Sequence, residues 1–200
     1  EPGRMPFTRG RALRDPLVPW DVRQLHDDPD PARTRSAVID DLEKGATSVW
    51  LHVGEDGVAV ADVAAVLADV RLDLAPVVLS SHTAQADAAR ALLAHVGDRA
   101  AVGLHLGVDP VGAALRLGTA PDLAPLAEVV AAAAGRDGVR ALAVDTRVAH
   151  DAGATEVDAL AVGLATAVAY LRHLAAAGTD PAVTFAQVEW RVPATADQFL

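Results

Sequence analysis

Apolar runs of strand length alternate along this chain with stretches of helical spacing. The first run, residues 47–53, is β-branched and nearly all apolar, the character of a strand covered on both faces. Similar runs follow at 76–81, 101–106, 139–144 and 183–192. Between them apolar positions recur at helical intervals over 31–45, stopped by Gly45, then over 60–70, 84–96, a short piece at 111–117, 123–134 stopped by Gly135, and a long stretch at 156–177. Residues 1–33 carry many Pro, Arg and Asp without a sustained period, so they read as an extended arm with local turns, and 34–200 read as the barrel domain described next.

Strands alternating with helices predict an α/β fold with a parallel sheet and right-handed crossovers. A doubly wound sheet would place a glycine-rich phosphate turn after the first strand, and Val53-Gly54-Glu55-Asp56-Gly57 matches G-x-G-x-x-G poorly. The expected architecture is therefore a (β/α)8 barrel of the TIM type. Five strands are read, and Leu115-Arg116-Leu117 is open as a sixth, either a degenerate strand or the end of a helix. That is too few to close such a barrel. Another helix begins at Asp197-Gln198-Phe199-Leu200, so the expectation is an incomplete N-terminal portion of a longer protein.

Composition narrows the partners. Asp and Glu number 27 against 17 Lys and Arg, a net charge of −10, and the basic residues are scattered except for Arg4, Arg9, Arg11 and Arg14. That balance argues against nucleic acid. The N-terminal arginines offer forked donors that suit either phosphate oxygens or carboxylates of another protein. Cysteine is absent, which removes disulfides, thiolate metal sites and a cysteine nucleophile and suits a reducing cytoplasm. No apolar run is expected to reach bilayer-spanning length, and the start lacks a signal-peptide pattern. A cytoplasmic protein with no membrane partner is the expectation.

Chemistry in α/β proteins sits where strands end, and residues 141–160 hold the most informative such end, an apolar run that stops at Asp145-Thr146-Arg147-Val148-Ala149-His150-Asp151 before Ala152-Gly153-Ala154-Thr155 opens a helix. Asp145 and Asp151 could form a carboxylate pair for acid/base work, although Asp151 reads more simply as a first-turn acid favoured by the helix dipole. His52, His82, His105 and His150 fall near the ends of four strands, where barrel hydrolases gather metal ligands, yet no H-x-H or H-E-x-x-H spacing supports a metal. Ser80-Ser81-His82 resembles a nucleophile and base only by adjacency, and neighbouring strand residues point to opposite faces.

Pro-Phe-Thr-Arg-Gly at 6–10, Pro-Trp-Asp-Val-Arg-Gln at 19–24, His-Asp-Ala-Gly-Ala-Thr at 150–155 and Ala-Thr-Ala-Asp-Gln-Phe at 194–199 resemble the substrate barrel of the methylmalonyl-CoA mutase family, most of all its small, or beta, subunits. The resemblance covers most of the chain. It implies a (β/α)8 barrel threaded along its axis by the CoA chain, with a flavodoxin-like cobalamin domain beyond residue 200. It also implies a heterodimer with a catalytic large (alpha) subunit that isomerises (R)-methylmalonyl-CoA to succinyl-CoA with adenosylcobalamin in propionate metabolism.

Where the resemblance expects Gly-Tyr-His before A-G-A-T, this chain has Thr146, Arg147 and Val148, and valine donates no hydrogen bond. Where it expects R-G-P-Y, Arg9-Gly10 is followed by Arg11 and Ala12, so the tyrosine ring and hydroxyl are missing. Both losses remove donors that position and shield radical chemistry. The D-x-H-x-x-G cobalamin signature is not met around His150, since neither Asp145 nor Asp151 stands two residues before it. The expectation is thus a non-catalytic small subunit in which this segment supplies no catalytic residue, no cofactor-binding residue and no metal ligand. Two alternatives are a self-sufficient acyl-CoA mutase relative using Arg147 or His150 on a different acyl group, and a metal-dependent barrel hydrolase using the strand-end histidines. An open polar tunnel with both Arg147 and His150 aimed into it would speak against the supporting role.

Overall fold

In the computed structural model, which describes residues 20–99 and 101–194, six parallel strands alternate with helices. In chain order they are β1 (Arg23–His26), α1 (Pro31–Glu43), β2 (Ser48–His52), α2 (Val63–Val66) after a 3-10 turn at Val60–Asp62, β3 (Val77–Ser80), α3 (Gln85–Val96), β4 (Leu104–Val108), α4 (Pro110–Leu117), α5 (Leu126–Ala133), β5 (Val139–Asp145), α6 (Arg147–Asp151), α7 (Glu156–Ala176), α8 (Pro181–Ala186) and β6 (Val188–Arg191).

The strand order is β1-β2-β3-β4-β5-β6, each strand beside its sequence neighbour. Nothing reverses, so the sheet has no switch point of the doubly wound kind. The register aligns Leu25 with Trp50, Trp50 with Val78, Val78 with His105, and Ala143 with Glu189, which puts these side chains on one face. Laid flat, six strands would hold β1 and β6 about 24 Å apart, further than an arginine and a glutamate can reach together. Yet Arg23 Nη1 on β1 lies 3.5 Å from Glu189 Oε1 on β6. The sheet is therefore curled, with that face inside. β1 and β6 do not pair as strands, so among the described residues the curl stays open.

The outer face is aliphatic. Val49, Leu51, Val77, Leu79, Leu104, Leu106, Leu142 and Val144 are nearly inaccessible and pack in one cluster with Val38 of α1, Leu92 of α3, Leu126 and Val130 of α5, and Tyr170 and Leu174 of α7. Each such burial contributes about 2 kcal/mol. The inner face is polar instead, and that asymmetry decides what the fold can offer a ligand.

Asp-Pro pairs set three helix starts. Asp30, Asp109 and Asp180 are N-caps whose carboxylates accept from backbone N–H groups, each followed by proline in the first turn. The third corrects the strand expected over 183–192. Asp180 Oδ1 accepts from the Ala182 N–H at 2.7 Å and starts α8, so only Val188–Arg191 remain as strand. Leu115-Arg116-Leu117 resolves as the end of α4, closed by Gly118 in the left-handed conformation. The sixth strand is β1, inside the segment read as an arm, where only His26 is buried and no apolar alternation marks it. The helix expected over 60–70 shrinks to the 3-10 turn and α2.

β4 runs two residues past its expected end through a bulge at Gly107. Gly107 has φ +66°, and a Cβ there would lie 2.0 Å from the Leu79 carbonyl oxygen, so the strands approach closely only because that position has no side chain. Against expectation, α7 meets the bare length and composition test for a membrane span, with 21 residues and a mean hydropathy of 1.5. One face nevertheless docks on the sheet through Ala159, Gly163, Thr166, Ala167, Tyr170 and Leu174. The other presents Val157, Leu160, Leu164 and Val168 to solvent.

Candidate functional site

A cleft of about 300 Å³ opens at the C-terminal ends of the strands, over the mouth of the curl. Its walls come from the ends of all six strands and from the segments that follow β1 to β5, where barrel chemistry resides.

On one side, the tight Val53–Val58 turn folds Asp56 back over the end of β2. Asp56 Oδ1 lies 2.9 Å from His52 Nε2, and its Oδ2 lies 2.7 Å from His82 Nδ1. The two imidazoles stand 4.6 Å apart between centroids. Burial pushes the Asp56 carboxyl up, but hydrogen bonds from His52 and then His82 outweigh it and hold the group at about 2. His52 Nδ1 lies 3.0 Å from Ser80 Oγ, which also accepts from Trp50 Nε1 at 2.8 Å.

On the other side, Asp145 and Arg147 form a forked pair through Nε and Nη2, and the Arg147 guanidinium stacks 4.7 Å above the Trp50 ring. The hydrogen bonds with Asp145 raise the Arg147 pKa further. Asp145 Oδ1 also accepts from the Arg147 backbone N–H. The side chain is therefore fixed to the wall at three points.

Beneath them lies a buried knot. Asp109 caps α4 by accepting from Gly112 N at 3.0 Å, accepts from Asp145 N at 3.0 Å, and receives the Tyr170 hydroxyl of α7. Tyr170 in turn accepts from Val111 N at 3.0 Å. Burial pushes Asp109 upward, opposed by the Tyr170 hydroxyl and the two amides. It raises the Tyr170 phenol well above its usual value too, with Asp109 adding to it. This knot ties β4, β5, α4 and α7 together under the cleft floor.

Deeper in the curl, Glu189 gathers one histidine and two arginines from three strands. His105 Nδ1 of β4 lies 2.7 Å away, off the line that a ring N–H bond needs, so that contact is electrostatic. Arg191 lies at 3.3 Å and Arg23 of β1 at 3.5 Å. Burial raises the Glu189 pKa, but His105 and then Arg191 outweigh it and hold the carboxyl at about 2. Arg191 also donates to the Leu79 carbonyl at 3.1 Å.

The informative turn is built differently from its sequence reading. Residues 147–151 form the one-turn helix α6, Gly153 sits at φ +91° where an L side chain would be strained, and Thr155 caps α7 by accepting from Asp158 N. A-G-A-T is thus a stop followed by a start. Asp151 ends α6; the first-turn acids of α7 are Glu156 and Asp158. Arg147 and Val148 line the cleft, as do Asp145 and Asp151. His150 does not, and its buried Nδ1 has no partner among the described residues. The four strand-end histidines do not converge: His52 and His82 meet at Asp56, while His105 pairs with Glu189. Ser80 serves His52, not the adjacent His82. Asp56 was missed as a site residue; the signal was its place between two glycines in a turn too short to point elsewhere. Arg4, Arg9, Arg11, Arg14 and Ala12, and all but Ala194 of the 194–199 motif, lie outside the described residues.

No protein-family model matches the chain. The methylmalonyl-CoA mutase small subunit of Streptomyces virginiae is 44% identical over 208 aligned residues, which take in the whole chain and 33% of that protein. The methylmalonyl-CoA mutase small subunit of Propionibacterium freudenreichii subsp. shermanii is 40% identical over 205, again across the whole chain and 32% of its own length. This chain is a relative of the methylmalonyl-CoA mutase small subunits. A probable methylmalonyl-CoA mutase small subunit of Mycobacterium tuberculosis, 37% identical over 206 residues, repeats the match. The chain spans about a third of the length of the curated relatives it matches.

The cleft does not fit the cobalamin that the mutase resemblance implies. A corrin ring system exceeds its roughly 300 Å³, and the two histidines at its rim both face Asp56.

Proposed function

We propose that this chain is the barrel portion of a methylmalonyl-CoA mutase small subunit that supports a catalytic large subunit and performs no chemistry of its own. The observation that carries the reading is that the arginines held against the cleft floor are already paired, Arg147 by Asp145 and Arg23 and Arg191 by Glu189, while Arg116 meets the cleft only from its exposed position on α4. A thioester-linked carboxylate would have to displace a protein carboxylate to reach them. Val148, which lines the cleft where the resemblance expects a donor, offers none. In this reading the cytoplasmic heterodimer isomerises (R)-methylmalonyl-CoA to succinyl-CoA with adenosylcobalamin held elsewhere in the complex.

The curl supports completion as a (β/α)8 barrel. Its polar interior already meets across β1 and β6, both lateral strands keep unpaired edges among the described residues, and Phe185 and Trp190 are exposed like the solvent-facing stripe of α7. Further strand and helix units of the parent protein would pair those edges and cover the stripe.

The test is reconstitution. Full-length small subunit, large subunit and the mixture are each given adenosylcobalamin and (R)-methylmalonyl-CoA, and succinyl-CoA is measured. The expected result is no turnover by the small subunit alone and no saturable binding when acyl-CoA esters are titrated against it. Turnover by the small subunit alone would overturn the reading.

A further inference from the structure

We propose that His52, Asp56 and His82 form a binding site for one divalent transition metal ion of the zinc class, against the expectation of no metal ligand. Three separate pieces of chain supply the donors: the end of β2, the turn after it, and the segment after β3. Their ligand atoms all lie within 4.8 Å of one another. A tetrahedral ion with ligands near 2.1 Å needs donor separations of about 3.4 Å. The two histidine-to-carboxylate distances, 2.9 and 2.7 Å, are slightly short of that, so a modest outward turn of the half-exposed Asp56 admits the ion.

The surroundings prepare the donors. Ser80 Oγ, oriented by the Trp50 N–H, meets His52 Nδ1; when an ion displaces the Nε2 proton that now bonds Asp56, a ring donating at Nδ1 offers its Nε2 lone pair to the metal. That outer hydrogen bond is how ligating histidines are normally held in one tautomer. Two imidazoles and one carboxylate, without sulfur, favour zinc, cobalt or nickel over magnesium or calcium. Three protein ligands leave a coordination position open, and it faces the cleft, since His52, Asp56 and His82 all line it. Exposure rises from His52 through His82 to Asp56, which gives the ion an entry path. Bound there, the metal would staple the 53–58 turn to the loop after β3 and close that side of the cleft. The proposal does not depend on the mutase reading.

The experiment uses full-length, untagged protein stripped of metal. Cobalt is titrated while its visible bands are followed, zinc is titrated by calorimetry, and X-ray absorption is recorded on the zinc-loaded wild type. One saturable equivalent per chain is expected, with a first shell of nitrogen and oxygen near 2.0–2.1 Å containing two imidazoles. Asp56→Asn and His82→Gln should each weaken binding more than ~100-fold and Ser80→Ala by ~10–100-fold, whereas His173→Gln on α7 should leave it unchanged. The proposal is overturned by an absence of saturable uptake, by uptake unaltered in both ligand variants, or by a shell with fewer than two imidazoles. The wild-type absorption result decides even if the variants do not fold.

Discussion

Replacing Glu189 by glutamine tests whether a charge cluster ties the curl together. The substitution keeps the shape and removes the charge that His105, Arg191 and Arg23 share across β4, β6 and β1. Against an ordinary glutamate value of 4.5, the folded protein holds this carboxyl at about 2. A tenfold preference for the charged form is worth about 1.4 kcal/mol, so the cluster stabilises the fold by on the order of 3 kcal/mol near neutral pH. The side chain is only 12% exposed, so solvent screening takes little from that figure. For a domain of this size, the loss should lower Tm by about 10 °C. The sign with pH follows from the lowered value: the contribution is complete above 4.5 and fades as acid protonates the unfolded chain first, reaching zero below about 2. Urea unfolding of wild type and Glu189→Gln at pH 7 and at stepwise lower pH should show a gap near 3 kcal/mol that narrows toward pH 2. A gap below ~1 kcal/mol at pH 7, or one that does not change with pH, would show that the charge on Glu189 does not stabilise the fold through this cluster.

Three further outcomes follow from single contacts. Tyr170→Phe leaves the Asp109 carboxyl and the Val111 amide each short of a buried partner, so urea unfolding should show a loss of about 3 kcal/mol with an unchanged slope. Gly107→Ala forces a Cβ onto the Leu79 carbonyl and should cost more than ~4 kcal/mol, whereas Gly118→Ala, equally left-handed but facing open space, should cost only ~1–2 kcal/mol; equal losses in thermal unfolding would refute the close-approach argument. Arg147→Ala should leave turnover of the reconstituted mutase within about twofold of wild type, because that guanidinium is spent on Asp145 and Trp50; a large fall in kcat with the subunits still assembled would give Arg147 a direct part in the reaction.

The four central strands, β2 to β5, were legible because burial on both sides leaves nearly continuous apolar runs, and their helices because the apolar stripe recurs. β1 was not. An edge strand with one buried residue needs no apolar pattern, and its place is set by long-range bonds such as Arg23 Nε to Ser48 Oγ. α8 was hidden by Val183, Thr184 and Phe185, which favour strands locally, while the deciding signal was the capping chemistry of Asp180 and Pro181 just before them. At the cleft, Arg147 and Val148 could be placed from the strand end they follow. Their partners could not: Asp145 was visible two residues away, but Trp50 lies on a strand 97 residues earlier in the chain. The His52 and His82 pairing was likewise out of reach, because it depends on a turn directing Asp56 between strands that periodicity alone leaves unregistered.

The two faces of the sheet differ in what they can offer a ligand. On the outer face, aliphatic side chains packed against helices supply stability without regard to function, and the polar groups buried there are few. On the inner face, polar groups are costly unless each is matched, and here they match one another: Arg23 and Arg191 on Glu189, Arg147 on Asp145 and Trp50, His52 on Asp56 and Ser80. A ligand gains from a buried arginine only when that arginine is waiting without a partner, since otherwise the new ion pair replaces an old one and the displaced carboxylate must be rehydrated. The inner wall is thus organised in the way a binding site is, yet Arg147, Arg23 and Arg191 are already engaged.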